Sequence, residues 1–212
     1  KFFKKKKLNF TAISRSNFKN FTSVKFDYLI NAAMPSKRFW AKNNPEQDFQ
    51  ETVNKTIFFI KNFNYKKFIH ISSISARCQL SSVYGVNKKK SEDIVLKNSK
   101  NLVLRLGPLY GDGLDKGVLI DMLNSKTVYI NGNSKYSFTH IGWVCEWVIK
   151  NLISHKGIKE IGSKDYFTLS QLAEKINSKS NFKGEIDDQL IMDDEKYSSK
   201  SKDVLIYLKN FR

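Results

Sequence analysis

The chain has 212 residues, of which 41% are hydrophobic and 13% aromatic, and this predicts one globular domain with room for at most a small second lobe. No apolar run is long enough to cross a bilayer, and the lysine-rich opening leads into an alternating segment rather than into the apolar core of a signal peptide. The two cysteines, Cys78 and Cys145, lack the spacing of metal ligands, so the sequence predicts no metal site and a reducing, cytoplasmic location.

The formal net charge of +17 raises a nucleic-acid-binding hypothesis, because basic surfaces bind phosphate backbones through counterion release. Most of this charge comes from lysine, whereas arginine is the residue suited to bidentate contacts with phosphates and base edges. The lysines are spread along the chain, apart from the clusters at 4–7 and 88–90. A basic nucleic-acid-binding protein is therefore kept as the less favoured alternative, and no membrane partner is predicted.

Hydrophobic periodicity in the first half of the chain predicts strands that alternate with helices. Residues 1–7 look like the end of a helix, Pro45 opens an amphipathic helix, and another helix begins near Tyr84. The predicted strands are residues 8–13, 26–31, 68–71 and 101–106. Strands joined through helices pair in parallel with right-handed crossovers, so this pattern predicts an α/β protein with a parallel sheet.

After residue 110 the periodicity loosens, and it predicts a small C-terminal α/β lobe. The predicted helices are residues 118–123, 144–152, 169–176 and 203–208, and the predicted strands are 127–130, 137–141 and 158–161. Residues 181–202 are polar and aperiodic, which is typical of a loop. We therefore divide the chain into a first domain, residues 1–110, and a lobe, residues 111–212, from which about 137–153 return to the first domain.

A serine-rich segment, Ser72-Ser73-Ile74-Ser75, follows the third predicted strand, and Tyr84 and Lys88 lie four residues apart on the helix after it. That spacing puts the phenol and the ammonium on one face of the helix. A nearby positive charge favours the phenolate, so we expect Lys88 to lower the pKa of Tyr84 toward the working pH. A serine hydroxyl at the strand end can hydrogen-bond the same substrate oxygen as the phenol.

Ser-Ser after a strand, followed by Tyr-x-x-x-Lys on the next helix, resembles the short-chain dehydrogenase/reductases, and in particular their extended branch, the NAD-dependent epimerase/dehydratases. Further landmarks occur in the order of that family: Asn31-Ala32-Ala33 after a strand, Asn54 on the next helix, and Gly107-Pro108 in the segment Arg105 to Gly111. The resemblance covers most of residues 8–175. It implies a Rossmann-like, doubly wound parallel sheet with a small substrate lobe.

The resemblance also implies roles for individual residues. The catalytic set would be Ser73, with Ser75 in reserve, Tyr84, Lys88 and Asn54. The cofactor-binding set would be Arg15, Asn31, Ala32, Ala33, Tyr84, Lys88, Gly107 and Pro108. The implied reaction is NAD(P)-dependent oxidoreduction, epimerisation or dehydration of a small molecule, with a nucleotide-linked sugar as the expected substrate. Arg15 slightly favours NADP over NAD, and a homodimer is an open alternative.

One expected part of the family pattern is missing from this sequence. The first strand and its Gly-x-x-Gly-x-x-Gly turn, which let the backbone approach a pyrophosphate, should precede residue 8, yet no glycine precedes Gly85. The sequence therefore resembles an N-terminally truncated member, and we expect weak dinucleotide binding. The competing hypothesis is a non-catalytic remnant or binding module with the same fold. The short interval between Ser73 and Tyr84 also leaves the substrate assignment open.

Overall fold

The computed structural model describes residues 2–192 and 199–211, and its strands alternate with helices over most of their length. The strands are β1 (Lys25–Asn31), β2 (Asn64–Ser73), β3 (Leu102–Leu106), β4 (Leu109–Tyr110), β5 (Lys135–Tyr136), β6 (Thr139–His140), β7 (Gly157–Ile161) and β8 (Phe167–Thr168). The helices are α1 (Phe2–Lys5), α2 (Arg38–Asn43), α3 (Pro45–Phe49), α4 (Lys55–Asn62), α5 (Ser75–Cys78), α6 (Val83–Val95), α7 (Val118–Leu123), α8 (Ile141–Asn151), α9 (Leu169–Lys175) and α10 (Val204–Lys209). A π-helical turn, Gln50–Asn54, joins α3 to α4.

Contacts divide the chain into two units. The first unit comprises Lys1–Arg105 and Val148–Lys159, and the second comprises Leu106–Trp147 and Glu160–Arg212. From the sequence we placed the corresponding changes at residue 110 and at about 137–153. In the structure the chain leaves the first unit at Arg105, within β3, and comes back to it once, at Val148.

A four-stranded parallel sheet, in the order β1-β2-β3-β7, is the frame of the first unit. Every residue of β3 is buried, and Phe68 and Ile69 in the middle of β2 are fully buried. Continuous apolar strands of this kind are typical of a parallel sheet covered by helices on both faces. The Rossmann-like α/β class that the resemblance implies is therefore confirmed.

A buried lysine fastens the segment that returns to the first unit. The Lys67 ammonium donates hydrogen bonds to the carbonyl oxygens of Leu152, at 2.6 Å, and Ile153, at 3.2 Å, just after α8 ends. These carbonyls have no acceptor role within the helix, and a cation at a helix C-terminus is favourable. Burial lowers the pKa of Lys67, and the carbonyl oxygens at the end of α8 accept hydrogen bonds from its ammonium.

An apolar cluster is the core of the second unit. Its buried members include Leu119, Met122, Phe138, Leu169 and Leu172. The short strand pairs β4–β6, which is parallel, and β5–β8, which is antiparallel, lie in the same unit. Helix α9 begins with a reciprocal cap, in which the Thr168 hydroxyl accepts from the Gln171 backbone amide and the Gln171 side-chain oxygen accepts from the Thr168 backbone amide.

Three predicted strands differ from the structure. Residues 8–13 are irregular and mainly exposed, because no neighbouring strand pairs with them, and Phe10 packs on Phe3 instead, with ring centroids 5.8 Å apart. Of residues 127–130 only Val128 forms an isolated bridge. Within 137–141 the strand is confined to β6, because α8 begins at Ile141. Within the described ranges, no helix is both long and apolar enough to cross a membrane.

Candidate active site

The connection between β2 and α6 sets the distance between Ser73 and Tyr84. Ser73 is the last residue of β2, α5 follows at once, and Ser82 caps α6 by accepting a hydrogen bond from the Gly85 amide at 3.0 Å. At Gly85 a Cβ would lie 2.1 Å from the Gln79 carbonyl oxygen. The glycine therefore lets the first turn of α6 press against the segment after α5, which keeps Tyr84 close to the end of β2.

Tyr84 and Ser73 meet at the carboxyl end of β2. The Tyr84 side chain is 6% exposed, and the Ser73 side chain is near enough to its phenol to act on it. Burial raises the pKa of Tyr84 to about 12, against opposing effects of Ser73 and of the Arg38 charge. Ser75 lies behind this pair, because its hydroxyl accepts from the Ser73 hydroxyl at 3.2 Å and is itself buried. The contact to the phenol thus belongs to Ser73.

Lys88 covers the face of the Tyr84 ring. Its ammonium lies 5.1 Å from the ring centroid and donates to the Pro35 carbonyl oxygen at 3.0 Å. The residue is 3% exposed, and burial lowers the pKa of Lys88 to about 8, although the charges of Asp48 and Glu92 oppose that shift. The ammonium form still predominates at neutral pH.

The sequence-based expectation that Lys88 lowers the pKa of Tyr84 is wrong for this structure. Loss of water around the buried phenol raises that pKa, and the Lys88 ammonium is directed at the Pro35 carbonyl rather than at the phenolic oxygen. At neutral pH the phenol therefore keeps its proton, and the site presents a proton donor next to a serine hydroxyl.

Asn31 ends β1 and organises the backbone beyond it. Its side-chain oxygen accepts a hydrogen bond from the Ala33 amide at 3.1 Å, and its side-chain nitrogen lies 3.3 Å from His70 Nδ1 and 3.4 Å from the Thr56 hydroxyl. Parallel pairing puts Asn31 directly opposite His70, which explains the contact. Ala32 and Ala33 are exposed after the strand, so their small side chains leave the carboxyl edge of the sheet open.

A buried relay that the sequence analysis missed connects this turn to α6. His70 Nε2 lies 3.0 Å from the Ser91 hydroxyl, and that hydroxyl donates to the Lys88 carbonyl oxygen at 2.7 Å. Burial, with a smaller contribution from the Lys88 charge, lowers the pKa of His70 to about 3, so the imidazole is neutral. The usable signal in the sequence was a histidine inside an otherwise apolar strand.

Asn54 and Arg15 have their described contacts elsewhere. The Asn54 amide donates to Gln50 Oε1 at 2.6 Å within the π-helical turn, and Thr56 is the residue of this helical segment that contacts Asn31. Arg15 pairs with Glu51 at 2.9 Å, and its side chain is 87% exposed. The strand that was expected to place Arg15 is absent, as described above. Their roles toward a cofactor remain predictions.

Gly107 and Pro108 lie between β3 and β4 and belong to the second unit. The Pro108 carbonyl oxygen accepts a hydrogen bond from the Thr139 amide at 2.9 Å, which continues the pairing of β4 with β6. This contact gives the segment a structural part in its own unit, and its cofactor role stays a prediction.

The residues present fit one end of a nicotinamide dinucleotide better than the other. Lys88 offers an ammonium donor of the kind that binds ribose hydroxyls. Tyr84 and Ser73 offer hydroxyl donors suited to a carbonyl or hydroxyl oxygen of a substrate. No glycine-rich turn for the pyrophosphate occurs in the sequence, because the first glycine is Gly85. A search of the described part of the chain finds no group of three or more His, Cys, Asp or Glu side chains that could hold a metal ion.

Comparison with known proteins finds similarity at the level of structure. No family model matches the chain, and no curated protein matches it. UDP-glucose 4-epimerase from Thermotoga maritima, with UDP-glucose, has a TM-score of 0.72 at 18% identity, covering 88% of this chain and 77% of the epimerase. UDP-glucuronic acid 4-epimerase from Bacillus cereus, with UDP-glucuronic acid and NAD, has a TM-score of 0.60 at 20% identity, covering 86% and 69%. RMD from Pseudomonas aeruginosa, complexed with NADPH, has a TM-score of 0.65 at 15% identity, covering 77% and 72%.

These similarities establish a shared fold. The chain is built like enzymes solved with nicotinamide cofactors or nucleotide sugars, at sequence identities that show the fold alone. What the chain itself binds has to be argued from its own residues.

Proposed function

We propose that this chain carries out NAD(P)-dependent oxidoreduction, epimerisation or dehydration of a nucleotide-linked sugar, as an extended short-chain dehydrogenase/reductase. The observation that carries the proposal is that Ser73 acts on the buried Tyr84 phenol while the Lys88 ammonium lies over the same ring. Support for the substrate class comes from solved relatives in fold that contain UDP-sugars, and for the cofactor class from those that contain NAD or NADPH.

The proposed chemistry follows from the protonation state of the site. Tyr84 holds its proton at neutral pH and gives it to the reacting oxygen of the substrate, and the phenolate that results takes a proton back in the reverse step. Ser73 hydrogen-bonds the same oxygen and fixes its position beside the phenol. Lys88 holds a positive charge over the Tyr84 ring and would donate to the ribose hydroxyls of a bound cofactor. A nicotinamide cofactor, when bound, supplies the hydride chemistry.

The proposed cofactor side is the carboxyl edge of β1 together with α6. Asn31 stiffens the turn at Ala32 and Ala33, over which a dinucleotide would lie. A preference for NADP requires Arg15 to exchange its carboxylate partner Glu51 for a phosphate. Gly107 and Pro108 belong to the proposed cofactor contacts. Asn54 belongs to the proposed catalytic set. A cytoplasmic location and a homodimer are further parts of the same proposal.

A non-catalytic binding module of the same fold is the second candidate. The observation that favours it is the Lys88 ammonium, which is 3% exposed and already donates to the Pro35 carbonyl oxygen, so it is less available to the hydroxyls of a cofactor ribose. The two candidates differ in whether Lys88 contributes to nicotinamide binding and whether Tyr84 supports turnover.

Equilibrium binding of NADH and NADPH, followed by the fluorescence of the reduced nicotinamide, tests the proposal. Lys88→Met should weaken binding about tenfold, because it removes a charged donor. Lys90→Met is the matched control, since Lys90 is exposed on the same helix with its ammonium over the Phe49 ring. Binding that is equal in wild type, Lys88→Met and Lys90→Met, or no binding by wild type at all, would contradict the proposed cofactor site.

A further inference from the structure

Asp48 is a fully buried carboxylate that the proposed chemistry does not yet use. It lies in α3 at 0% exposure, and its Oδ2 accepts a hydrogen bond from the Asn87 side chain at 2.8 Å. Among the described residues its other oxygen, Oδ1, has no hydrogen-bond partner, and neither has the buried hydroxyl of Thr52 one turn later. Burying a carboxylate with one neutral donor is unfavourable unless a positive charge compensates for it.

The surroundings identify the compensating charge as Lys88. The charged groups that act on Lys88 are Asp48 from α3 and Glu92 from α6, and its own charge acts on His70 from β2. Glu92 is already neutralised, because Arg105 donates to both of its carboxylate oxygens, at 3.0 Å from Nε and 2.7 Å from Nη2. Of the two carboxylates that act on Lys88, Asp48 is therefore the one whose hydrogen-bond donor, Asn87, is neutral.

Asp48 also acts on the other half of the pair. Around the Tyr84 phenol, Asp48 raises the pKa, whereas Ser73 and the positive charge of Arg38 from α2 lower it. Asn87, which Asp48 holds, immediately precedes Lys88 in α6. The charge of one buried carboxylate thus acts on both the phenol and the ammonium. The same carboxylate accepts a hydrogen bond from Asn87, on the helix that carries them both.

We propose that Asp48 is a positioning residue for the Tyr84–Lys88 pair: its carboxylate holds Asn87 on α6 and supplies the negative charge that keeps the Lys88 side chain in its ammonium form. This inference rests on the proposed function for its purpose, although the interaction itself does not depend on it. Without Asp48, only the charge of Glu92 opposes the effect of burial on Lys88, and the side chain loses its proton closer to neutral pH.

The test is a pH titration of Lys88 by nuclear magnetic resonance in protein with ¹³C-labelled lysine, with Lys88→Met used to assign the signal. The midpoint is expected near pH 8 in wild type and at lower pH in Asp48→Asn, by about one unit. Asp48→Glu, which keeps the charge, should restore the midpoint toward the wild-type value. Asp93→Asn is the matched control, because Asp93 is exposed on the same helix and pairs with Lys89, and it should leave the midpoint unchanged.

An unchanged or raised midpoint in Asp48→Asn would overturn the inference. Asp48→Ser provides a second measurement of the same loss of charge if the amide variant does not fold. Because this readout needs neither cofactor nor turnover, it decides the role of Asp48 even if the proposed function fails. If the protein does turn over substrate, the alkaline limb of its pH–rate profile should move with the Lys88 midpoint in the same variants.

Discussion

The two units of the molecule bury different kinds of side chain. Around α6 the first unit buries Asp48, His70, Lys88 and Glu92, which are all ionisable groups held away from water. The second unit is built on a cluster of aliphatic and aromatic side chains in which Leu119, Leu169 and Leu172 are almost fully buried. Apolar burial stabilises a fold, whereas buried ionisable groups lower its stability unless they are compensated. Function is therefore expected where the polar groups are buried.

The largest expected effect is the loss of stability at low pH that the buried His70 of the first unit causes. The pKa of His70 is lowered by burial from 6.5 to about 3, so the unfolded chain binds a proton between these values that the native state does not. The contribution of His70 to stability is complete above pH 6.5 and is lost as the pH falls toward 3, by up to about 5 kcal/mol. Urea unfolding at a series of pH values should show this loss in wild type and a flatter profile in His70→Gln. His140→Gln, at an exposed histidine, should keep the wild-type slope; equal slopes in all three proteins would exclude His70 as the cause.

Truncation in the second unit should give a large effect without pH dependence. Leu172→Ala removes a side chain with 0% exposure and is expected to lower the free energy of unfolding by about 3 kcal/mol, through lost transfer energy and a residual cavity. Ile206→Ala, at a residue 64% exposed, should change it by less than about 0.5 kcal/mol. Urea denaturation compares the two variants, and equal effects would show that the apolar cluster is not the core of this unit.

Removing the buried ammonium of the first unit should stabilise the protein. The pKa of Lys88 is about 8 in the folded protein and 10.5 in the unfolded chain. Above pH 10.5 the side chain is neutral in both states and costs no stability. As the pH falls from 10.5 to 8 the unfolded chain gains the proton first, so the folded protein loses stability. At neutral pH the buried charge costs about 3 kcal/mol, and this value already includes its attraction to Asp48 and Glu92. Lys88→Met also loses the hydrogen bond to Pro35, so a net gain in stability of about 2 kcal/mol is expected. Lys90→Met should be nearly neutral. A destabilised Lys88→Met protein would mean that the ammonium is better compensated than the structure indicates.

The smallest effect is expected at the exposed Arg15–Glu51 pair. Arg15→Ala should change the free energy of unfolding by less than about 0.5 kcal/mol, because ion pairs this exposed are screened by water. If Arg15 binds a 2′-phosphate, the same variant should weaken NADPH binding and leave NADH binding unchanged. Equal affinities for the two cofactors in wild type and variant would remove Arg15 from the cofactor site.

The sequence predicted the elements that are defined by local patterns. Residues 26–31, 68–71 and 101–106 form strands because continuous apolar runs suit a covered parallel sheet, and α6 starts near Tyr84 where Ser82 caps it. Residues 8–13 also have a strand-like pattern, in which apolar and polar residues alternate. They form no strand, because periodicity does not reveal whether a partner strand exists.

The candidate site was predictable only in part, for a related reason. Ser73, Tyr84 and Lys88 could be named because their spacing on a strand end and one helix face is local. Asp48 and His70 could not, since they reach α6 from separate elements, and only the fold brings them there. The direction of the Tyr84 pKa shift was mistaken because burial, which spacing does not report, outweighs the neighbouring charge.

Substrate turnover by Tyr84→Phe, measured with cofactor affinity on the same samples, tests the central claim most directly. Tyr65→Phe is the matched control, because Tyr65 is another partly buried tyrosine of the first unit and its hydroxyl donates to the Ile60 carbonyl oxygen, away from Ser73 and Lys88. With a nucleotide sugar and NADH or NADPH, we expect Tyr84→Phe to lose turnover by about 100-fold or more while cofactor affinity stays within about twofold, and Tyr65→Phe to match wild type. Turnover in Tyr84→Phe equal to that of wild type would contradict the account.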